Sequence, residues 1–272
     1  MGQDPAVRSD ELGELVRTSV GHVPEEIRDD WDRYLRRTIE DLWGRKTLAP
    51  GDRSLVTVAA LTVMESRSEL DGHIRLALHH GLSRLELCEA MLQVAGYAGV
   101  GRGVEGLRAL AEVFDSEPDL GTDSADPPAG VEGDERLERA RPIQALMSPE
   151  HVDAIFERLE PYPVDTAPDE RPPFLAGGPE WLGWLTETAF GDLWSRPNLT
   201  LAQRELVTSS VLIVLGRNAE LRGHFGVALR LGISPEEMSE AIVHLGAYAG
   251  FPTAVGAMLL FTEVLAEREG ST

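Results

Sequence analysis

Small and apolar positions recur along the chain with a helical period. Leu55, Val58, Ala59 and Thr62 stand at 3, 4, 7 spacing, and Leu206, Ser209, Ser210 and Ile213 repeat it. Segments over about 24–45 and 180–195 read as amphipathic helices ending in Trp43 and Trp194. Gly81-Leu-Ser and Gly232-Ile-Ser-Pro-Glu-Glu punctuate the pattern. Gly232 suits a helix C-terminus, Ser234 the next N-cap, Pro235 the first turn and Glu237 the capping-box position. The pattern predicts helices over about 83–95 and 234–247. A small-residue turn at GYAG and AYAG follows, then last helices over about 103–114 and 254–267. No run alternates with the period of a strand, so the predicted fold class is all-α.

The same pattern occurs twice. RSLVTVAALTVM at 53–64 is matched by RELVTSSVLIVL at 204–215, and ELDGH at 69–73 by ELRGH at 220–224. Every match has an offset of 151, and laying 53–110 on 204–261 without a gap gives 21 identities in 58 positions. Two copies of one unit are too few and too large for a solenoid. Residues 115–135 hold eight acids, no Lys or Arg, three Pro and three Gly, the composition of a flexible, self-repelling linker. The expected organisation is a first, partly degenerate helical unit at 1–114, a linker at 115–136 and a second unit at 137–272. A Pro-rich patch from Pro161 to Pro179 reads as a long surface loop.

Composition narrows the function classes. The formal net charge is −21, which opposes broad binding to nucleic-acid phosphates. One Cys forms neither an internal disulfide, a CxxC pair nor a thiolate-rich zinc site. The N-terminal stretch MGQDPAVRSDELGEL has no apolar signal core, and the longest apolar stretches fall short of a bilayer span. A cytoplasmic protein without membrane contact is expected. With 42% hydrophobic residues the chain has material for a packed core.

Titratable residues recur at helical spacing. Glu69 and His73 are i, i+4, and so are their copies Glu220 and His224, which places each carboxylate and imidazole on one helix face. A carboxylate beside a histidine favours the imidazolium and orients the ring, as a general acid or an anion-binding group needs. A surface ion pair or a satisfied core histidine is the plain alternative. Glu240, His244 and Tyr248 form a second stripe, matched in the first copy by Glu89, Gln93 and Tyr97. If that face packs against the Glu220/His224 face, two imidazoles converge; a polar seam between helices is the other reading. Arg53 and Arg204 open equivalent helices, either as structural ion pairs or as anchors for a substrate carboxylate. Cys88, matched by Ser239, reads as packing, and His79-His80 has no counterpart in the second copy and no metal-site support.

These residues carry a resemblance. The run RELVTSSVLIVLGRNAELRGHFGVALRLGISPEEMSEAIVHLGAYAGFPTA, with HVD at 151–153 and FGDLWSRPNL at 190–199, resembles the carboxymuconolactone decarboxylase family. The resemblance covers about 140–267 closely and about 20–114 more loosely, as in a tandem two-unit member. It implies an all-helical, cofactor-free protein that self-associates through helical faces. It points to His224 and His244 as catalytic positions, with Glu220, Arg204 and Tyr248 around them. Together with the helical stripes, the expected site has His224, His244 and Glu220 as catalytic residues and Arg204, Tyr248, Glu240, His73 and Glu69 holding substrate. The redox branch, the alkylhydroperoxidase D-like proteins, places a CxxC ahead of the histidine. Those positions here are Ser66 and Glu69, or Arg217 and Glu220, so disulfide-based peroxide reduction lacks its thiols. The first copy departs from the pattern with Gln93 in place of His244 and GYAGVGRG in place of AYAGFPTA, which makes it either a degenerate partner or a different pocket. The expected activity is decarboxylation of a small anionic or lactone acid, with no metal or cofactor. Isomerisation, dehydration, cyclisation and a non-catalytic binding role stay open.

Overall fold

Serine and proline punctuation starts the helices where the pattern places them. The computed structural model describes residues 23–121, 134–147 and 184–270. A 3-10 turn at Glu25–Ile27 leads into α1 (Arg28–Trp43). Then come α2 (Pro50–Val63), α3 (Arg67–His79), α4 (Arg84–Ala98) and α5 (Val100–Ser116). After α6 (Asp134–Met147) a π-helical segment spans Thr186–Leu193. The second copy repeats the series as α7 (Leu201–Val214), α8 (Asn218–Arg230), α9 (Pro235–Ala249) and α10 (Phe251–Gly270). The described residues form no strand, and the fold is all-α.

Two capping boxes fix equivalent starts. The Ser83 hydroxyl accepts from the Glu86 amide while the Ser83 amide donates to the Glu86 carboxylate (2.8 Å). Ser234 and Glu237 do the same at α9. Each satisfies two otherwise orphaned donors. The expected small-residue turn contracts to one residue per copy. Gly99 (φ 96°) and Gly250 (φ 90°) take a left-handed conformation open to glycine, so α5 and α10 begin at the next residue. α5 and α10 therefore start earlier than the periodicity placed them.

Helices α2 and α7 are buried on nearly every side. Arg53 through Val63 are all buried in α2, as are Arg204 through Ile213 in α7. A helix of that kind needs cover all round, and one copy cannot supply it. The core joins Leu48, Val56 and Ala60 from the first copy to Leu206, Leu212, Phe225, Leu245 and Phe261 from the second. The compact units accordingly cut across the sequence copies. One unit takes residues 1–126 together with 202–272, and the other takes 127–201. In the first unit α9 of the second copy packs on α2 of the first. Equivalent residues meet there: the Gln203 amide donates to Asp52 (3.2 Å), 151 positions away. Burial pushes the Asp52 carboxyl up, against that hydrogen bond. In the other unit α6 packs against the π-helical segment, where Gly191 abuts the Arg136 backbone too closely for a side chain.

The start of the expected linker is ordered. A turn after α5 is held by Arg84, which donates to the carbonyls of Glu117, Pro118 and Leu120. Residues 122–133 and the patch from Pro161 to Pro179 lie outside the described residues. Among the described residues no helix is long and apolar enough to cross a membrane.

Candidate active site

Each of two centres in the larger unit draws on both copies. Around His73, the first copy supplies Arg53 and Thr57 from α2, His73 from α3 and Trp43 from the end of α1, while α9 supplies Glu240, His244 and Tyr248. The fully buried Arg53 pairs with Glu240 (2.9 Å), and the half-exposed Arg45 joins from outside (2.6 Å). The Arg53 guanidinium donates to His244 Nδ1 (3.2 Å). A guanidinium has no acceptor, so that nitrogen holds a lone pair and Nε2 carries the proton. Nε2 donates to the Thr57 hydroxyl (2.7 Å), which donates onward to the Arg53 carbonyl (2.9 Å). Both ring nitrogens of His244 are thereby engaged inside the protein.

The rest of this centre is aromatic. The Trp43 indole donates to the Tyr248 hydroxyl (3.0 Å), stacks on His73 at 5.9 Å and meets His244 edge-on at 5.0 Å. Burial pushes the Tyr248 phenol up, against its hydrogen bonds with Trp43 and Thr57. His73 is 2% exposed, and its Nδ1 is buried without a partner. Burial, with His80 nearby, lowers His73 to about 3. Burial, then Arg53, then His73 hold His244 well below the usual histidine range. Ser54 bonds His80 Nδ1 (2.7 Å), and burial with His79 lowers His80 to about 4. Near neutral pH this is a cluster of uncharged imidazoles.

The centre around His224 repeats the scaffold with different chemistry. Arg204 of α7 pairs with Glu89 of α4 (2.9 Å), both fully buried. Its guanidinium also donates to the Gln93 carbonyl oxygen (3.4 Å), while the Gln93 amide donates to Thr208 (2.9 Å). Gln93 thus accepts from an arginine and donates to a threonine, as His244 does across the molecule. In front of this seam, His224 Nδ1 meets both oxygens of the Glu205 carboxylate (3.0 and 3.1 Å). Glu205 is fully buried and accepts a second hydrogen bond from Ser209 (2.8 Å). Tyr97 of the first copy crosses the imidazole nearly edge-on at 5.3 Å. The His224 side chain is 17% exposed.

Several expectations change. The imidazole that converges with His244 is His73, not His224. The carboxylate holding His224 is Glu205, whereas Glu220 is exposed and bonds Arg217 (2.6 Å), which keeps its carboxyl below the usual range. Arg204 and Glu240 are committed to buried ion pairs with Glu89 and Arg53, so the plain reading of the arginines holds and neither serves as an open anchor. Glu69 is half-buried, and its charge helps to raise Tyr248. His73 is neutral rather than imidazolium, because burial and the neighbouring His80 both lower it. Reading the sequence missed Glu205, Thr57, Thr208 and Trp43. Glu205 leaves one signal, since it stands where the first copy has Ser54. Cys88 is half-buried. Among the described residues no group of three or more His, Cys, Asp or Glu is placed to hold a metal ion.

The sequence profile of the carboxymuconolactone decarboxylase family matches residues 29–112 and 179–263. Over 85 residues the chain is 39% identical to a 4-carboxymuconolactone decarboxylase of Acinetobacter baylyi, a match covering 31% of this chain and 63% of that protein. Over 97 residues it is 34% identical to a nitrosuccinic acid decarboxylase of Metarhizium robertsii, covering 36% of this chain and 66% of the relative. Each match spans just under two thirds of the relative's length.

Proposed function

The chain belongs to the carboxymuconolactone decarboxylase family, and from that premise we propose that it is a cofactor-independent carboxy-lyase acting on a small acid. The observation that carries this reading is the Glu205–His224 pair. A buried carboxylate on Nδ1 fixes the ring and its orientation, as an imidazole that transfers protons needs. The His73 centre has no such carboxylate, because Ser54 takes the place of Glu205.

The two relatives are named for acids of different skeleton, carboxymuconolactone and nitrosuccinic acid. Both carry an electron-withdrawing group that accepts the electron pair left by a departing carboxyl. For this chain the proposed step breaks the carbon–carboxyl bond and releases CO₂. The electron pair moves onto a carbonyl or nitro oxygen. His224 then protonates the carbon, and a proton from water restores it. Glu205 acts as a positioning residue and counter-charge to the imidazolium. Tyr97 forms a wall across the ring, so the first copy completes the second copy's centre. His244 belongs to the scaffold rather than the chemistry.

The test is CO₂ release from carboxymuconolactone and nitrosuccinate by wild type, His224→Gln and His244→Gln. General acid–base catalysis is worth about 10²–10⁴-fold, and that loss is expected for His224→Gln alone. Product without CO₂, or full activity in His224→Gln, overturns the proposal.

A further inference from the structure

The chemistry proposed for His224 leaves one charge unplaced. A chain of formal net charge −21 repels an anionic acid as a whole, so the acid needs a cation at the site itself. Arg204 is sealed against Glu89 and does not supply it. Arg222 of α8 does not either, because it pairs with Glu263 and Glu267 of α10. Arg217, the N-cap residue of α8, is placed differently. Its amide donates to the Leu212 carbonyl (2.9 Å) and its carbonyl accepts from the Leu221 amide (2.9 Å). The backbone is thus fixed, while the side chain is 59% exposed.

Arg217, Glu220 and His224 stand at i, i+3 and i+7, along one face of the helix. The Arg217 guanidinium donates to Glu220 (2.6 Å). Residues four apart on a helix have Cβ atoms about 5–6 Å apart, so Glu220 holds that guanidinium about one turn from the imidazole. The hydrogen bond from Arg217 leads in keeping the Glu220 carboxyl below the usual range, and His224 is near enough to add to it. Both partners of the pair are exposed, and a surface pair of this kind is worth little. An incoming carboxylate therefore displaces Glu220 from Arg217 at small cost. The first copy lacks this cation. Ser66 stands at the equivalent place, and Arg67 beside it is engaged by Asp71 (3.1 Å) and Glu112 (2.7 Å). The exchangeable arginine and the Glu205–His224 pair occur in the same copy.

We propose that Arg217 binds the carboxylate that the substrate keeps, with Glu220 as the internal stand-in it leaves, so that the substrate is an acid with two carboxyl groups. This rests on the reading of His224 as the reacting centre. Nitrosuccinate, with one carboxyl to lose and one to keep, is a probe of that form. Arg217→Met should raise its KM about 10- to 100-fold, the size of a lost hydrogen bond to a charged group, with kcat nearly unchanged. Arg217→Lys keeps the charge without the two-pronged fork and should fall between. Glu220→Gln frees Arg217 and should lower KM. If the pair is only a surface strut, Arg217→Met and Glu220→Gln shift KM the same way or not at all, which overturns the proposal. Calorimetry separates the site from the reaction. Succinate, a two-carboxyl acid, should bind wild type more tightly than propionate does, and Arg217→Met should lose that preference. Equal binding of the two acids to wild type, or a preference kept in Arg217→Met, overturns the proposal. A succinate preference that depends on Arg217, without CO₂ release from nitrosuccinate, supports the site and overturns only the carboxy-lyase reading.

Discussion

At equivalent places in the two copies, His73 lies beneath an indole among neutral imidazoles, and His224 lies against a buried carboxylate. The frame behind them is common. Each has an arginine from one copy paired with a glutamate from the other, and a threonine bonded to the residue four places beyond that glutamate. Beside each arginine stands Ser54 in one copy and Glu205 in the other. That difference gives His224 a buried carboxylate on Nδ1, while the Nδ1 of His73 has no partner.

The sharpest way to break that contrast is Glu205→Gln. The amide keeps the shape and removes the carboxylate charge that faces His224 Nδ1. Decarboxylase turnover should fall by about 10²–10³-fold, the size of one acid–base or preorganised electrostatic contribution. His73→Gln should change it less than about tenfold. Equal losses in the two variants would erase the distinction between the centres.

The common frame should respond alike in both halves. Glu89→Gln leaves Arg204 buried without its counter-charge, and Glu240→Gln does the same to Arg53. Breaking a buried pair by removing one partner costs about 3–5 kcal/mol. Urea unfolding should show losses of that size for each, since both guanidinia are sealed from water.

Acid should find the first centre. His73 and His80 are depressed to about 3 and about 4, below the ordinary value of 6.5, so the unfolded chain binds protons that the folded chain refuses. Their contribution to stability is complete above pH 6.5. It is lost as pH falls from there through 4 and toward 3. Each proton taken up only on unfolding contributes about 1.4 kcal/mol per pH unit. Unfolding free energy measured between pH 7.5 and 5 should therefore start to decline below 6.5, and His73→Phe should flatten that decline. A flat profile in wild type would mean that the cluster is hydrated.

The helices, their caps and the duplication were legible because each is a local or periodic signal. Ser234, Pro235 and Glu237 mark the start of α9 within three residues of one another. The pairing of elements across copies was not legible. The stripe Glu240–His244–Tyr248 shows that one face of α9 is polar, but nothing in its spacing shows that the face meets α2 of the other copy rather than α8 of its own. The link between Glu205 and His224 was hidden for the same reason. An i, i+4 carboxylate is visible along the chain, whereas Glu205 reaches His224 from a separate helix 19 residues upstream. The uncharged runs 54–63 and 206–214 were the available hint, since a helix without a charged outer face must be enclosed.

The smallest effect tests the closest likeness. Gln93 and the Nε2-protonated form of His244 have the same polarity, with an acceptor toward an arginine and a donor toward a threonine. Glutamine should therefore serve in place of His244, and histidine in place of Gln93, each at under about 1.5 kcal/mol of stability, the range of a near-isosteric swap. His244→Leu fills a similar volume but makes no bond to Arg53 or Thr57. It should cost about 1–3 kcal/mol more, the penalty for leaving a buried polar group unsatisfied. If leucine and glutamine prove equal at position 244, the ring contributes packing alone. If glutamine there abolishes turnover while thermal stability is kept, His244 takes part in the chemistry and the two centres act as one.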